Sequence, residues 1–187
     1  MKKSELRTNY KILRKKLSSK EIDDLSLQIA NSVLKLPIWK YSFFHIFLTI
    51  KSLKEVLTEP IMSILSGKDK HIVVSKSDFK TRTMSHVLLQ DNTLLKPNSW
   101  NIPEPENGIS ISDEQIEVVF IPLVTFDEKG NRVGYGKGFY DGFLKNCSKD
   151  TIKIGLSFFD AETVIDDVEP HDIPLDFCVT PNKIYTF

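Results

Sequence analysis

The sequence predicts a three-layer α/β/α fold, one domain over residues 1–187 built around a mostly parallel central sheet. Short β-rich runs alternate with amphipathic helical segments along the chain, the pattern left by parallel strands joined through helical crossovers. One run, Val118–Val119–Phe120–Ile121 closed by Pro122, is apolar at every position, as a strand covered on both faces must be. Residues 43–75 read as a complete β-α-β unit.

Each element has its own signal. Leu6, Tyr10, Leu13 and Leu17 recur at three- and four-residue steps, predicting an amphipathic helix over the first 17 residues. Ser18 and Glu21 match the S-x-x-E capping box, and Ile22, Leu25, Ile29 and Val33 supply a second helical stripe that Pro37 ends. Phe43–Leu48 and His71–Ser75 are strand candidates. Between them lies a helix over Thr58–Ser66, with Pro60 in its first turn and Gly67 at its end. Val87–Leu89 and Thr93–Lys96 are further strand candidates, and the proline-rich run Pro97–Pro105 is expected to be an extended surface connection. The buried strand Glu117–Ile121 follows, then a loop, a short helix near Phe139–Lys145, a strand over Ile152–Ser157, and closing strands over Phe177–Thr180 and Ile184–Phe187.

Composition narrows the function. With 25 basic and 25 acidic side chains the formal net charge is zero, so no global field draws nucleic acid, and a charged ligand must be held locally. Apolar residues at 41% and charged residues at 27% are ordinary globular usage. The longest apolar stretch, Phe43–Ile50, is broken by His45 and Thr49 and is far short of the roughly 20 residues a membrane span needs. Met-Lys-Lys is followed by Ser-Glu-Leu-Arg rather than an apolar segment, so export is not expected and the expected location is cytoplasmic. Cys147 and Cys178 show no metal spacing and read as structural thiols of a reducing compartment. His45, His71 and His86 lie in or beside apolar strand candidates and read as structural.

The chemistry concentrates in one stretch. Five of the eight glycines fall between Gly130 and Gly142, between a strand and a helix. Glycine allows backbone at positive φ and close approach of N–H groups to an anion, and the helix starting near Phe139 adds its dipole. Arg132 and Lys137 add charge, so phosphate is the natural guest. The spacing is neither that of a Walker A loop nor that of a dinucleotide fingerprint, and a flexible structural turn is the alternative at this point.

The run Gly130-Asn-Arg-Val-Gly-Tyr-Gly-Lys-Gly-Phe-Tyr-Asp141 resembles the signature of 5-formyltetrahydrofolate cyclo-ligases, also called methenyltetrahydrofolate synthetases. Further landmarks of that family occur in order: Lys3-Ser-Glu-Leu-Arg7, Glu55-Val-Leu-Thr58, Ser99-Trp-Asn-Ile-Pro-Glu-Pro105 and His171-Asp172. The resemblance implies ATP-dependent closure of 5-formyltetrahydrofolate to 5,10-methenyltetrahydrofolate, with Mg²⁺ as cofactor. It implies ATP contacts at Lys3, Ser4, Glu5, Leu6 and Arg7, and at Arg132, Val133, Gly134, Tyr135, Gly136, Lys137, Gly138, Phe139 and Tyr140. Tyr135 to Phe139 would also border the folate, together with Ile50 and Glu55, while Trp100 either stacks on the ligand or anchors the proline-rich run; Lys137 would be the catalytic cation, and Asp141 and Asp172 the metal-associated carboxylates. Phe139 stands where the family often has a tyrosine, and Ser75-Lys76 replaces a common Pro-Arg.

The expected partners are the two small-molecule substrates, with no nucleic acid and no membrane, and the chain is expected to be a monomer. Two alternatives stay open on sequence alone: a relative acting on another substrate, and a folate- or nucleotide-binding module without turnover.

Overall fold

The computed structural model describes residues 1–98 and 102–187. The chain runs α1 (Lys3–Lys16), α2 (Ser19–Val33), β1 (Phe43–His45), α3 (Glu59–Gly67), β2 (His71–Asp78), β3 (Thr83–Leu88), β4 (Leu95–Pro97), β5 (Pro103–Pro105) and β6 (Ser110–Ile111). It continues through β7 (Val118–Pro122), β8 (Thr125–Phe126), β9 (Arg132–Val133), α4 (Phe139–Asn146), β10 (Ile152–Leu156), β11 (Phe177–Val179) and β12 (Ile184–Thr186).

Eight strands form the main sheet in the order β12-β11-β10-β7-β1-β2-β3-β6. The middle five are parallel, with β2 and β7 on either side of β1 and β10 and β11 beyond β7. Antiparallel strands β12, β3 and β6 extend the two edges. The predicted parallel sheet is therefore present, with antiparallel margins the sequence patterning did not separate.

Alternation along the strands builds two cores. Phe44, Ile46, Val118, Phe120, Ile154 and Leu156 turn to one face beneath α2 and α3, while Val73, Val119 and Ile121 turn to the other, against Phe143 and Leu144 of α4. The capping box of α2 is present: Glu21 donates its backbone N–H to Ser18 Oγ at 3.2 Å and accepts the Ser18 N–H at 2.8 Å.

Several boundaries differ from expectation. Helix α1 buries Leu6, Tyr10 and Arg14, in four-residue steps, and leaves Leu13 39% exposed. Its apolar side chains pack on Val124, Val133 and Ile165 beside the small β8–β9 hairpin rather than on the open sheet. The proline-rich run is not wholly a surface connection: β5 pairs with β4, and Glu104 within it is buried. Strand β2 continues three residues past Ser75 because β3 pairs with it to Asp78. The loop after β7 contains the β8–β9 hairpin, whose two-residue strands are too short for a periodicity signal. Among the described residues, no helix is long and apolar enough to cross a membrane.

Candidate active site

Connections from β1 lead to β2 on one side and onward to β7 on the other. In an open parallel sheet such a divergence leaves a crevice at the carboxyl ends of the strands. A cavity of about 760 Å³ opens there, walled by the loop after β1, the far half of β2, the glycine loop, the start of α1 and residues 167–172. A volume of this size suits a small-molecule site.

The loop after β1 is held by buried hydroxyls that replace missing main-chain partners. Thr49 Oγ1 donates to the Val56 carbonyl at 2.9 Å and accepts the Thr58 N–H at 3.0 Å, and Thr58 Oγ1 donates to the Phe47 carbonyl at 2.9 Å. Lys54 turns the loop at φ +48° and sends its ammonium to the Lys15 and Leu17 carbonyls at the end of α1, where a cation suits the helix dipole. This frame presents Glu55, which is 3% exposed. Its Oε2 accepts the Ile50 N–H at 2.7 Å and its Oε1 accepts the Tyr135 hydroxyl at 2.6 Å. Burial pushes the Glu55 carboxyl above the ordinary range, and these two hydrogen bonds pull against that shift. Ile50 and Glu55 both line the cavity.

Tyr135 belongs to the glycine loop, so one phenol joins the two sides of the site. Its oxygen also accepts from Arg14 Nη1 at 2.8 Å. Burial, and next the Glu55 charge, raise the Tyr135 pKa, so the hydroxyl stays protonated. Arg14 is 5% exposed, its second terminal nitrogen donates to the Leu123 carbonyl, and its Nε has no partner among the described residues. The sequence reading missed Arg14. The available signal was its register with Leu6 and Tyr10, which placed a cation on a buried helical line.

Gly134, Gly136 and Gly138 line the cavity, with Gly136 at φ +82° and Gly138 at φ +75° at the N-cap of α4. Arg7 donates Nε to the Gly134 carbonyl at 2.7 Å and lies under Gly136. Lys137 lines the cavity, is exposed, and has no hydrogen bond or ion pair among the described residues. Lys3 instead pairs with Asp172, and Arg132 with Asp141 at 2.7 Å. Arg132 is 8% exposed and also reaches the Ile173 carbonyl, which makes it a brace between the glycine loop and the segment after Asp172.

The same brace ties Asp141 to Ile173, the residue after Asp172. Asp141 Oδ1 accepts from Arg132 and from the Ile173 N–H at 3.1 Å, and Asp172 Oδ2 accepts from Lys3 and from the Glu169 N–H at 2.6 Å. The second oxygen of each carboxylate has no hydrogen bond among the described residues. Burial works to raise the Asp172 pKa, but the Glu169 N–H and the Lys3 ammonium outweigh it and hold the group below the ordinary range. No cluster of three or more acidic, His or Cys ligands exists among the described residues, so these carboxylates do not form an all-protein cage. Two hard oxygen donors fit an ion that takes the rest of its shell from phosphate and water.

Other expected contacts lie elsewhere. Leu6 and Val133 are fully buried in the core beneath α1, and Glu5 closes the helix start by accepting the Lys2 N–H at 3.0 Å. Ser4, Phe139 and Tyr140 do line the cavity. Trp100 lies outside the described residues. Gly130 shapes the β8–β9 turn at φ +82°, where a Cβ would meet the Phe187 ring at 2.7 Å. The tip of the β2–β3 hairpin adds Phe79 and Arg82 to the cavity wall, with Phe79 set edge-on to Phe139 at 5.1 Å.

His45 and His86 sit away from the cavity, buried beside Phe143, with their rings 5.2 Å apart. His71 is at the start of β2 against Phe43. Both cysteines are free, Cys178 fully buried and Cys147 partly so.

Comparison with known proteins identifies the family. A mouse 5-formyltetrahydrofolate cyclo-ligase is 30% identical over 91% of this chain and 89% of its own length. A probable 5-formyltetrahydrofolate cyclo-ligase of Schizosaccharomyces pombe is 28% identical over 98% of this chain and 97% of its own. The NMR structure of an Aquifex aeolicus 5,10-methenyltetrahydrofolate synthetase superposes with a TM-score of 0.83 at 30% identity, covering 100% of this chain and 93% of that one. The model of the 5-formyltetrahydrofolate cyclo-ligase family matches residues 1–181, and the chain belongs to that family.

Proposed function

We propose that the chain uses ATP to close 5-formyltetrahydrofolate into 5,10-methenyltetrahydrofolate, releasing ADP and phosphate. The observation that carries this reading is the Tyr135 bridge: one cavity holds a glycine loop with a lysine unpartnered among the described residues and, through that phenol, a buried carboxylate facing the same space. A formamide oxygen is a poor leaving group. Transfer of the γ-phosphoryl to it releases ADP and makes an iminophosphate; N10 then attacks the formyl carbon and gives up its proton, and the C–O bond breaks with its electron pair going to phosphate. Such a reaction needs positioning and charge neutralisation more than covalent help from the protein.

The residues divide accordingly. Glu55 accepts hydrogen bonds from the amino-pyrimidinone edge, with Ile50 and Trp100 as apolar contacts. Lys3 and Arg7 neutralise nucleotide phosphates, and Lys137 meets the transferring phosphoryl. Asp141 and Asp172 would hold Mg²⁺, which when bound neutralises phosphate charge. The proposed working unit is a monomer. The two unpaired thiols fit a reducing location, for which we propose the cytoplasm.

The test mixes the purified chain with 5-formyltetrahydrofolate, ATP and Mg²⁺ and follows methenyltetrahydrofolate absorbance. Product should form only with ATP and a divalent cation together. Equal rates with and without excess chelator would overturn the metal assignment, and no product at all would overturn the activity.

A further inference from the structure

Strand β2 outruns its neighbour β1, and that mismatch opens a second polar wall in the cavity. The Val73 carbonyl accepts from Ile46 on the β1 side at 2.9 Å, whereas the Ile72 carbonyl accepts from Leu89 on the β3 side at 2.7 Å. Main-chain groups alternate between the two edges of a strand, so Ser75 and Ser77 face the β1 side as Val73 does. Pairing with β1 stops at Val73, and both serines line the cavity.

Glu104 caps this open edge. It comes from β5 on the other side of the residues left undescribed, lines the cavity, and is 7% exposed. Its Oε1 accepts the Ser77 N–H at 2.9 Å. No cation pairs with the carboxylate among the described residues, and no group among them bonds Oε2. Pro103 and Pro105 flank it, with φ fixed by their rings, so its backbone is held before any ligand arrives. The spare carboxylate oxygen is open to the cavity and can accept a donor there, and the open edge adds the Ser75 and Ser77 carbonyls as acceptors beside the Ser75 N–H.

We propose that Glu104 and the open edge of β2 form a subsite for the N–H donors of the reduced pterin ring, distinct from the Glu55 contact. The proposal rests on the folate reading above. Between the two heterocycles of that reading, the pterin matches a carboxylate with two neighbouring carbonyls better, because it brings more donors. Adenine carries one donor group, its amino group, to set against the Glu104 carboxylate and the open carbonyls. With N3–H and one amino hydrogen at Glu55, the pterin of 5-formyltetrahydrofolate still offers its second amino hydrogen and its N8–H.

Glu104→Gln tests this, because the amide oxygen can keep the Ser77 bond while the charge is lost. Titration calorimetry and steady-state kinetics should show folate Kd and KM raised about tenfold or more, with ATP KM within about twofold and kcat within about threefold of wild type. A purely structural carboxylate would leave the folate constants within about twofold, and that result overturns the proposal. A shift falling on ATP instead also overturns it. In the unaltered protein the Ser77 amide resonance should move on adding 5-formyltetrahydrofolate and stay in place on adding ATP; no movement with folate overturns the proposal independently of any variant. If the wild-type chain neither binds nor turns over the folate, the activity itself is absent. If it does both and Glu104→Gln matches it, only the subsite is lost.

Discussion

Lys137→Ala separates catalysis from architecture more cleanly than any other substitution in the site. The side chain is exposed, makes no hydrogen bond or ion pair among the described residues, and sits between Gly136 and Gly138, whose positive φ values set the loop without it. Its removal therefore breaks no fold contact, and stability should stay within about 0.5 kcal/mol of wild type. If the ammonium meets charge that shifts during phosphoryl transfer, the loss appears in kcat. Deleting one preorganised electrostatic contact typically costs on the order of 100-fold, about 2.7 kcal/mol of barrier. Both KM values should move far less, because the interaction strengthens only in the transition state. Lys137→Arg should rescue partly, since a planar guanidinium does not reproduce a compact ammonium in so tight a loop. Steady-state kinetics with a parallel thermal melt decides the matter. A kcat within about threefold of wild type at unchanged stability would refute the reasoning and leave Lys137 a solvated neighbour of the site.

Two further expectations follow from the same geometry. Glu55→Gln should raise the folate KM about 10- to 100-fold, the equivalent of losing one charged hydrogen bond at roughly 1.5 to 3 kcal/mol, while the ATP KM stays within about twofold; the reverse pattern in steady-state kinetics would contradict its assignment. Burial, and then the neighbouring His86, hold His45 well below its ordinary pKa of 6.5; burial likewise lowers His86 despite its bond to Asp113. Both folded-state values are depressed, so the unfolded chain takes up protons first: stability is complete above pH 6.5 and is lost as pH falls below it. Each histidine contributes a slope of at most about 1.4 kcal/mol per pH unit between its folded and unfolded pKa, and His45→Leu should flatten the melting-temperature profile below about pH 6.5. Parallel profiles for the two proteins would contradict this.

The local signals that succeeded were those in which one residue type does one physical job. Ser18 and Glu21 marked a helix start, Pro60 and Gly67 bracketed α3, and Val118–Ile121 could be so uniformly apolar only between two covered faces. What escaped depends on partners distant in sequence. Leu13 and Arg14 are equally compatible with a helix, and packing beside β8–β9 turned Arg14 inward. Glu104 lies in a run whose prolines speak only for extended backbone, and its burial follows from the unpaired edge of β2. Gly130 and Gly134 look alike in the sequence, yet the first serves a turn against Phe187 and the second lines the cavity. The resemblance placed Tyr135 in the site but not its bond to Glu55, which joins residues 80 positions apart.

The most direct test of the central claim follows the formyl oxygen itself. Substrate carrying a heavy-oxygen label in the formyl group is turned over with ATP in ordinary water, and the released phosphate is analysed by mass spectrometry. Phosphorylation of that oxygen predicts one labelled atom in the phosphate for each methenyltetrahydrofolate formed. Unlabelled phosphate, with the label released into water, would contradict the account.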